Sequence, residues 1–301
     1  MADVQNVTLD RSSGGVEIPQ LGFGVFQVPA DDVEEAVAAA LGAGYRHIDT
    51  ARIYGNEEGV GRALAHAPYP REDVFVTTKL WNEDHGDVDR VRTALRGSLE
   101  RLGLDQVDLY LLHWPVPSTD RYVETWRSLL EVRQEGLARA VGVCNFTTAH
   151  LQRVFDMVGV MPAVNQVELH PYLQQKELRE FHDEHGIATQ AWSPIGGQGG
   201  TVLDDEVIGE IARKHDATPA QVVIAWHLAI GNVVIPKSVT PTRIAENFAA
   251  KDVVLDDDDL KAIEKLDKGE EGRVGPDPAT FDNGARKDSE QSNRQKACQR
   301  C

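Results

Sequence analysis

The stretch Asp108-Leu-Tyr-Leu-Leu-His-Trp114 carries apolar side chains on both faces of an extended chain. This pattern is typical of a strand buried in a parallel sheet. Apolar, β-branched runs of this kind recur along the chain, at residues 45–49, 74–79, 107–113, 140–144, 163–168, 187–193, 233–237 and 253–255. Between them lie stretches, such as 88–102 and 122–135, whose apolar residues recur every three or four positions, which is the helical period.

This alternation of strands and helices, with no linker between the units, predicts an α/β fold, a (β/α)8 TIM barrel in one domain over residues 1–284. A doubly wound sheet would require G-x-G-x-x-G after its first strand, and Gly22-Phe-Gly24-Val-Phe-Gln27 lacks the third glycine. Residues 7–24 predict an N-terminal β-hairpin. Residues 285–301 are polar without an apolar period, so we expect a disordered C-terminal tail.

The composition excludes several classes of protein. The 301 residues are 41% hydrophobic, which is ordinary for a globular protein. Their net charge of −17 repels the phosphates of nucleic acid. No apolar run is long enough to span a membrane, and the N-terminus lacks a secretory signal. Three cysteines, Cys144, Cys298 and Cys301, do not make a disulfide framework. We therefore expect a cytoplasmic protein without nucleic-acid, membrane or metal partners.

Polar side chains end three of the predicted strands or follow them closely: Asp49, Tyr54, Lys79 and His113. Because the carboxyl ends of the strands meet at one rim of a barrel, we expect these four side chains to converge. Lys79 has apolar neighbours, and an unpaired lysine is costly to bury. It therefore needs an anionic partner, for which Asp49 on the adjacent strand is the candidate.

The chemistry of these four groups favours proton transfer. A phenol has an unperturbed pKa of about 10, and a neighbouring ammonium favours the phenolate. Tyr54 is predicted to be the general acid for a developing alkoxide, with Lys79 tuning its pKa, Asp49 holding the lysine and His113 donating an N–H to the same oxygen. In an alternative interpretation Lys79 is the nucleophile of a Schiff-base lyase.

Five motifs, in this order, resemble those of the aldo-keto reductase family: GYRHIDTARIYGNE (44–57), VTTKLW (76–81), LYLLHWP (109–115), GVCNF (142–146) and IPKSVTPTRIAEN (235–247). The resemblance implies a (β/α)8 barrel that moves hydride between NADPH and a carbonyl group. It also implies that Asp49, Tyr54, Lys79 and His113 form the catalytic tetrad.

The same resemblance implies binding residues. Asn145 and Gln166 would bond the nicotinamide carboxamide, Trp192 would stack on the ring, and Lys237, Ser238 and Arg243 would bind the 2′-phosphate. Further cofactor residues would be Cys144, Ser193, Ile195, Gly196, Glu246 and Asn247, and the substrate pocket walls would be Phe26, Trp81 and Trp114. The segment Trp192-Ser-Pro-Ile-Gly196 resembles the bacterial diketogluconate-reductase branch of the family.

The function predicted from the sequence is therefore reduction of aldehydes and ketones, including sugar-derived diketones such as 2,5-diketogluconate, by a monomeric NADPH-dependent enzyme. The segment after Leu255 shows no long apolar loop, which favours broad substrate selectivity. A nucleotide-sensing regulatory barrel that binds NADPH without turnover is the non-enzymatic alternative.

Overall fold

Parallel strands joined by helices close into one barrel. The structure, a computed structural model, describes residues 4–9, 15–197 and 201–283. The strands are β1 (Asn6–Leu9), β2 (Val16–Pro19), β3 (Phe23–Gly24), β4 (His47–Asp49), β5 (Phe75–Leu80), β6 (Val107–Leu112), β7 (Ala138–Cys144), β8 (Val164–Glu168), β9 (Ala188–Trp192) and β10 (Val233–Val234). The helices are α1 (Val33–Ala43), α2 (Glu57–His66), α3 (Val88–Leu102), α4 (Tyr122–Gln134), α5 (Thr148–Val158), α6 (Lys176–His185), α7 (Glu206–Lys214), α8 (Pro219–Ala229), α9 (Pro241–Ala249) and α10 (Asp257–Glu264).

The sheet runs in sequence order from β3 to β10, and every neighbouring pair is parallel. Its two edges meet at a parallel bridge between Leu21 and Val234. There the backbone N–H of Gly22 donates to the carbonyl of Val234, and the N–H of Val234 donates to the carbonyl of Gln20, each at 2.8 Å. The predicted (β/α)8 barrel is confirmed.

The structure lacks one predicted barrel strand and contains one that was not predicted as such. The first barrel strand is Phe23–Gly24, which the sequence placed at the end of the hairpin, and residues 253–255 form no strand. A strand of two residues leaves no periodic signal in the sequence. Its position is set by packing, because a Cβ on the preceding Gly22 would lie 2.4 Å from His47 Nδ1. Val254, in contrast, is 78% exposed and precedes α10.

The N-terminal hairpin is confirmed as an antiparallel pair of β1 and β2. Its Leu9 and Ile18 are fully buried in a cluster with barrel residues that include Leu109, Leu111 and Val164. The hairpin therefore contributes side chains to the barrel core. The predicted tail, with Cys298 and Cys301, lies outside the described residues. None of the described helices has the length and apolar character needed to cross a bilayer.

Replacing Ile18 with alanine tests how much this hairpin contributes to stability. Truncation of a buried isoleucine to alanine costs about 2–5 kcal/mol, and we expect a loss of that size in the free energy of unfolding measured with urea. The control is Glu17→Ala on the same strand, whose side chain is exposed and which should cost less than about 1 kcal/mol. An equally small loss for both variants would contradict a structural role for the hairpin.

Candidate active site

The four predicted catalytic residues meet at the carboxyl end of the barrel. Asp49 is the last residue of β4, Lys79 lies near the end of β5, and His113 directly follows β6. Tyr54 ends the 3-10 turn Arg52–Tyr54, which begins three residues after the last residue of β4. Because β4, β5 and β6 are adjacent and parallel, their ends bring these side chains together.

Lys79 Nζ is the centre of this group. It donates to Asp49 Oδ1 at 2.5 Å, to the backbone carbonyl of Thr50 at 2.8 Å and to Tyr54 Oη at 3.3 Å. The Lys79 side chain has no exposed surface, and that of Asp49 is 2% exposed. An ammonium has three protons to donate, so these three oxygens use all of them. Asp49 is held on its other side by Gln166, whose Nε2 donates to Oδ2 at 2.8 Å.

Burial and charge set the protonation of Tyr54 and Lys79. Burial raises the pKa of Tyr54 to about 12, although the neighbouring Lys79 ammonium lowers it. The lowering expected from the sequence is thus present but is outweighed by burial. Burial lowers the pKa of Lys79, but Asp49 and Tyr54 raise it by more than burial lowers it, so the net shift is upward. At neutral pH Tyr54 is therefore a protonated phenol beside a charged ammonium.

His113 is a neutral imidazole facing the same opening. Its pKa is well below the usual value because of burial and the positive charge of Lys79. Its ring contacts Trp81 and Tyr54 edge-on, at centroid distances of 5.2 and 5.9 Å. Nδ1 is enclosed and lacks a hydrogen-bond partner among the described residues. The site thus places two neutral ring systems, each with a polar hydrogen, beside one buried cation.

The residues predicted to bind the nicotinamide end lie on the next strands of the barrel. Asn145, which follows β7, donates from Nδ2 to the His113 carbonyl at 3.0 Å and accepts from Trp192 Nε1 at 2.8 Å. Asn145 and Ser193 have the left-handed φ values 62° and 48°, so the chain turns sharply after β7 and β9. Cys144 is fully buried in the interior cluster, where burial raises the pKa of its thiol.

The predicted phosphate-binding residues follow β10. Lys237 and Ser238 are half-buried, and Arg243 is exposed in the first turn of α9. Within the described ranges neither Lys237 nor Arg243 is held by a hydrogen bond or ion pair. Both cations are available to a ligand, as a 2′-phosphate requires.

The other predicted cofactor residues differ in how deeply they are buried and in whether they already bond the protein. Asn247 is buried on α9, and the neighbouring Glu246 accepts a hydrogen bond from Thr218 at 2.9 Å, so one of its oxygens is already used within the protein. In the loop after β9, Ile195 is half-buried and Gly196 buried. No group of three His, Cys, Asp or Glu side chains in the described part of the chain is arranged to hold a metal ion.

Aromatic side chains surround the opening, including the three predicted pocket walls. Phe26 is 55% exposed and lies 5.0 Å from the Tyr54 ring, measured between centroids. Trp81 contacts His113, and Trp114 packs on Phe281 at 4.2 Å. Trp81, Trp192 and Phe281 all pack against the pair Trp114 and Val116.

Phe281 belongs to a segment that the sequence reasoning missed. Residues 273–283, here called the rim segment, cross the carboxyl end of the barrel. Asn82 Nδ2 donates to the Asn283 carbonyl at 2.8 Å, and the N–H groups of Val274 and Gly275 donate to the Glu168 carboxylate. The segment after Leu255 therefore contributes a wall to the candidate site, and broad substrate selectivity stays a prediction.

Known proteins resemble this chain over nearly its whole length. The sequence model of the Aldo/keto reductase family matches residues 20–268. The chain is 52% identical to methylglyoxal reductase DkgA of Escherichia coli over 276 residues, covering 92% of this chain and 98% of the relative. It is 53% identical to an aldo-keto reductase of Mycolicibacterium smegmatis over 267 residues, covering 89% and 95%.

Solved structures agree with these sequence matches. A mutant of Gox0644 crystallised in complex with NADPH has a TM-score of 0.87 and 47% identity, covering 93% of this chain and 99% of that one. An aldo/keto reductase from Brucella melitensis has a TM-score of 0.84 and 50% identity, covering 89% and 99%. The family match, together with the barrel and the four residues at its rim, shows that this chain belongs to the aldo/keto reductase family.

Proposed function

We propose that this protein reduces small aldehydes and ketones to alcohols with NADPH, and that Tyr54 is the general acid. The observation that carries the proposal is the Lys79 ammonium, buried between Asp49 and the Tyr54 hydroxyl at an aromatic-lined opening. Membership of the aldo/keto reductase family supports the reaction class.

The site residues act on the carbonyl oxygen. Bound NADPH supplies the hydride that reduces the carbonyl carbon. The substrate oxygen accepts hydrogen bonds from Tyr54 Oη and from the Nε2–H of neutral His113, which orient the carbonyl and stabilise the charge that develops on it. Tyr54 then gives its proton to that oxygen. Lys79 stabilises the phenolate left behind, and Asp49 holds Lys79 in place.

The cofactor residues fit NADPH chemically. Lys237 and Arg243 are two cations without protein partners in the described ranges, in a protein whose net charge is −17. Together with Ser238 they would hold the 2′-phosphate, because charge-assisted hydrogen bonds favour a dianion. Asn145, Gln166 and Trp192 would hold the nicotinamide end. Trp192 donates to Asn145 directly, and Gln166 donates to Asp49.

The substrates we propose are small dicarbonyls, such as methylglyoxal and 2,5-diketogluconate. The pocket walls Phe26, Trp81, Trp114 and Phe281 leave an apolar opening beside two hydrogen-bond donors, which suits a compact carbonyl compound. The relative with 52% identity is named a methylglyoxal reductase. We also propose that the protein is a cytoplasmic monomer, which gel filtration and cell fractionation would test.

The Schiff-base alternative fits the site less well. A lysine must be neutral to attack a carbonyl, and the pKa of Lys79 is raised by Asp49 and Tyr54 against the effect of its burial. Borohydride treatment with substrate would trap a Lys79 adduct in a lyase, and no adduct is expected. A regulatory barrel would bind NADPH without oxidising it in the presence of any carbonyl.

Tyr54→Phe tests the general acid. The variant keeps the ring but has no proton to give, so we expect kcat for methylglyoxal reduction to fall by about 100-fold or more. The Kd for NADPH should stay within about threefold, because the hydroxyl acts on the substrate. The matched control is Tyr45→Phe, which removes a buried hydroxyl without a partner in the described ranges and should leave kcat unchanged. Near-normal turnover in Tyr54→Phe would contradict the assignment.

Arg243→Ala tests the phosphate site. NADH carries a hydroxyl where NADPH carries the 2′-phosphate, so the Kd for NADPH should rise about tenfold or more while that for NADH stays nearly constant. Quenching of tryptophan fluorescence measures both. Arg96→Ala, an exposed arginine on α3, makes the same change in net charge and should affect neither cofactor. Equal losses for NADH and NADPH would place Arg243 elsewhere on the cofactor.

A further inference from the structure

The rim segment, residues 273–283, has no helix or strand of its own, yet it crosses the mouth of the site. Its position therefore depends on contacts with the barrel. At its far end, Phe281 packs on Trp114 at 4.2 Å, and the Asn283 carbonyl accepts from Asn82 at 2.8 Å. At its near end the main contact is with one carboxylate.

That carboxylate is Glu168, the last residue of β8. Oε1 accepts from the N–H of Val274 at 2.6 Å, and Oε2 accepts from the N–H of Gly275 at 2.8 Å. His170 Nε2 lies 3.1 Å from Oε1, and an Arg273 guanidinium nitrogen lies 3.8 Å from Oε2. Glu168 is 1% exposed, so both oxygens are committed to these partners. A buried carboxylate with two backbone N–H donors forms strong, charge-assisted hydrogen bonds.

The fit beside this carboxylate is close. A Cβ on Gly275 would lie 2.4 Å from the Trp192 ring and 2.8 Å from Glu168 Oε2. Only glycine lets the backbone approach both groups so closely. Trp192 in turn bonds Asn145 and packs in the same aromatic cluster as Phe281. The Glu168 contact thus sets where the segment enters the pocket wall.

Glu168 does not act on the reacting atoms. It lies two residues beyond Gln166 on β8, so the two side chains point to the same side of the strand. Gln166 bonds Asp49 of the tetrad, whereas Glu168, nearer the rim, bonds the rim segment. Burial would raise the pKa of Glu168, but His170 and the two backbone N–H groups lower it, and the net shift is downward. The group is an anion at neutral pH.

We infer that Glu168 is a positioning residue: its carboxylate holds the rim segment across the pocket and thereby sets affinity for the carbonyl substrate. The inference rests on the proposed function, because it assigns an effect on substrate binding. An amide in place of the carboxylate offers only one acceptor oxygen and turns an NH2 group towards a backbone N–H. Glu168→Gln should therefore release the segment without changing the size of the side chain.

The experiment combines hydrogen exchange with steady-state kinetics on the full-length protein. In Glu168→Gln, amides of residues 273–283 should exchange about tenfold faster by mass spectrometry, while peptides from β4 to β6 exchange as in wild type. The KM for methylglyoxal should rise about tenfold and kcat change by less than about threefold. The matched control is Glu270→Gln: this carboxylate pairs with Arg273 but is 72% exposed, and its loss should leave exchange and KM unchanged.

Unchanged exchange in Glu168→Gln, or faster exchange with an unchanged KM, would overturn the inference. If Glu168→Gln does not fold, Gly275→Ala tests the contact from the other side, because its Cβ must displace the segment from Trp192, and the same two effects are expected. If wild type reduces no carbonyl, the proposed function fails together with the effect on KM. The exchange measurement needs no turnover and still decides whether Glu168 holds the segment.

Discussion

A lysine ammonium buried inside a barrel is the interaction on which the rest of the site depends. Removing the Lys79 charge from water is costly, and the cost is offset only if each of its protons finds an oxygen. Asp49, Thr50 and Tyr54 supply those oxygens from β4 and the turn that follows it. The site can therefore exist only where β4 and β5 run in parallel, with their ends at one rim. Parallel pairing of β4 with β5 and assembly of the site are therefore one requirement.

Burial gives the three titratable groups around the opening different protonation behaviour. It raises the pKa of Tyr54 and lowers that of His113, so both rings stay neutral and keep a proton to donate. It also opposes the charge on Lys79, but Asp49 and Tyr54 restore that charge. One enclosed environment thus yields two neutral donors beside one cation, which is the arrangement that an oxygen gaining negative charge requires.

The sequence predicted the tetrad because each member stands at, or just after, the end of a run that is apolar on both faces. Phe23–Gly24 escaped prediction because two residues carry no period and their place depends on contacts with distant residues such as His47. The prediction of a strand at residues 253–255 was wrong because an apolar composition does not distinguish a strand from a partly exposed connection. Glu168 also ends a predicted strand, so the reasoning applied to Asp49 was available for it. The backbone N–H groups that it binds, however, lie more than a hundred residues away along the chain.

Strand β8 connects the two halves of the site. Asn165 points away from the barrel axis, where it bonds the backbone of Phe146 and the His182 ring of α6. Gln166 points inward to Asp49, and Glu168, on the same side and nearer the rim, holds the rim segment. Because alternate residues of a strand face opposite sides, one short strand fixes a helix, the lysine's counter-ion and the pocket wall relative to each other. The position of the rim segment is thereby tied to that of Asp49 and its partner Lys79, through side chains rather than through the length of the connecting loops.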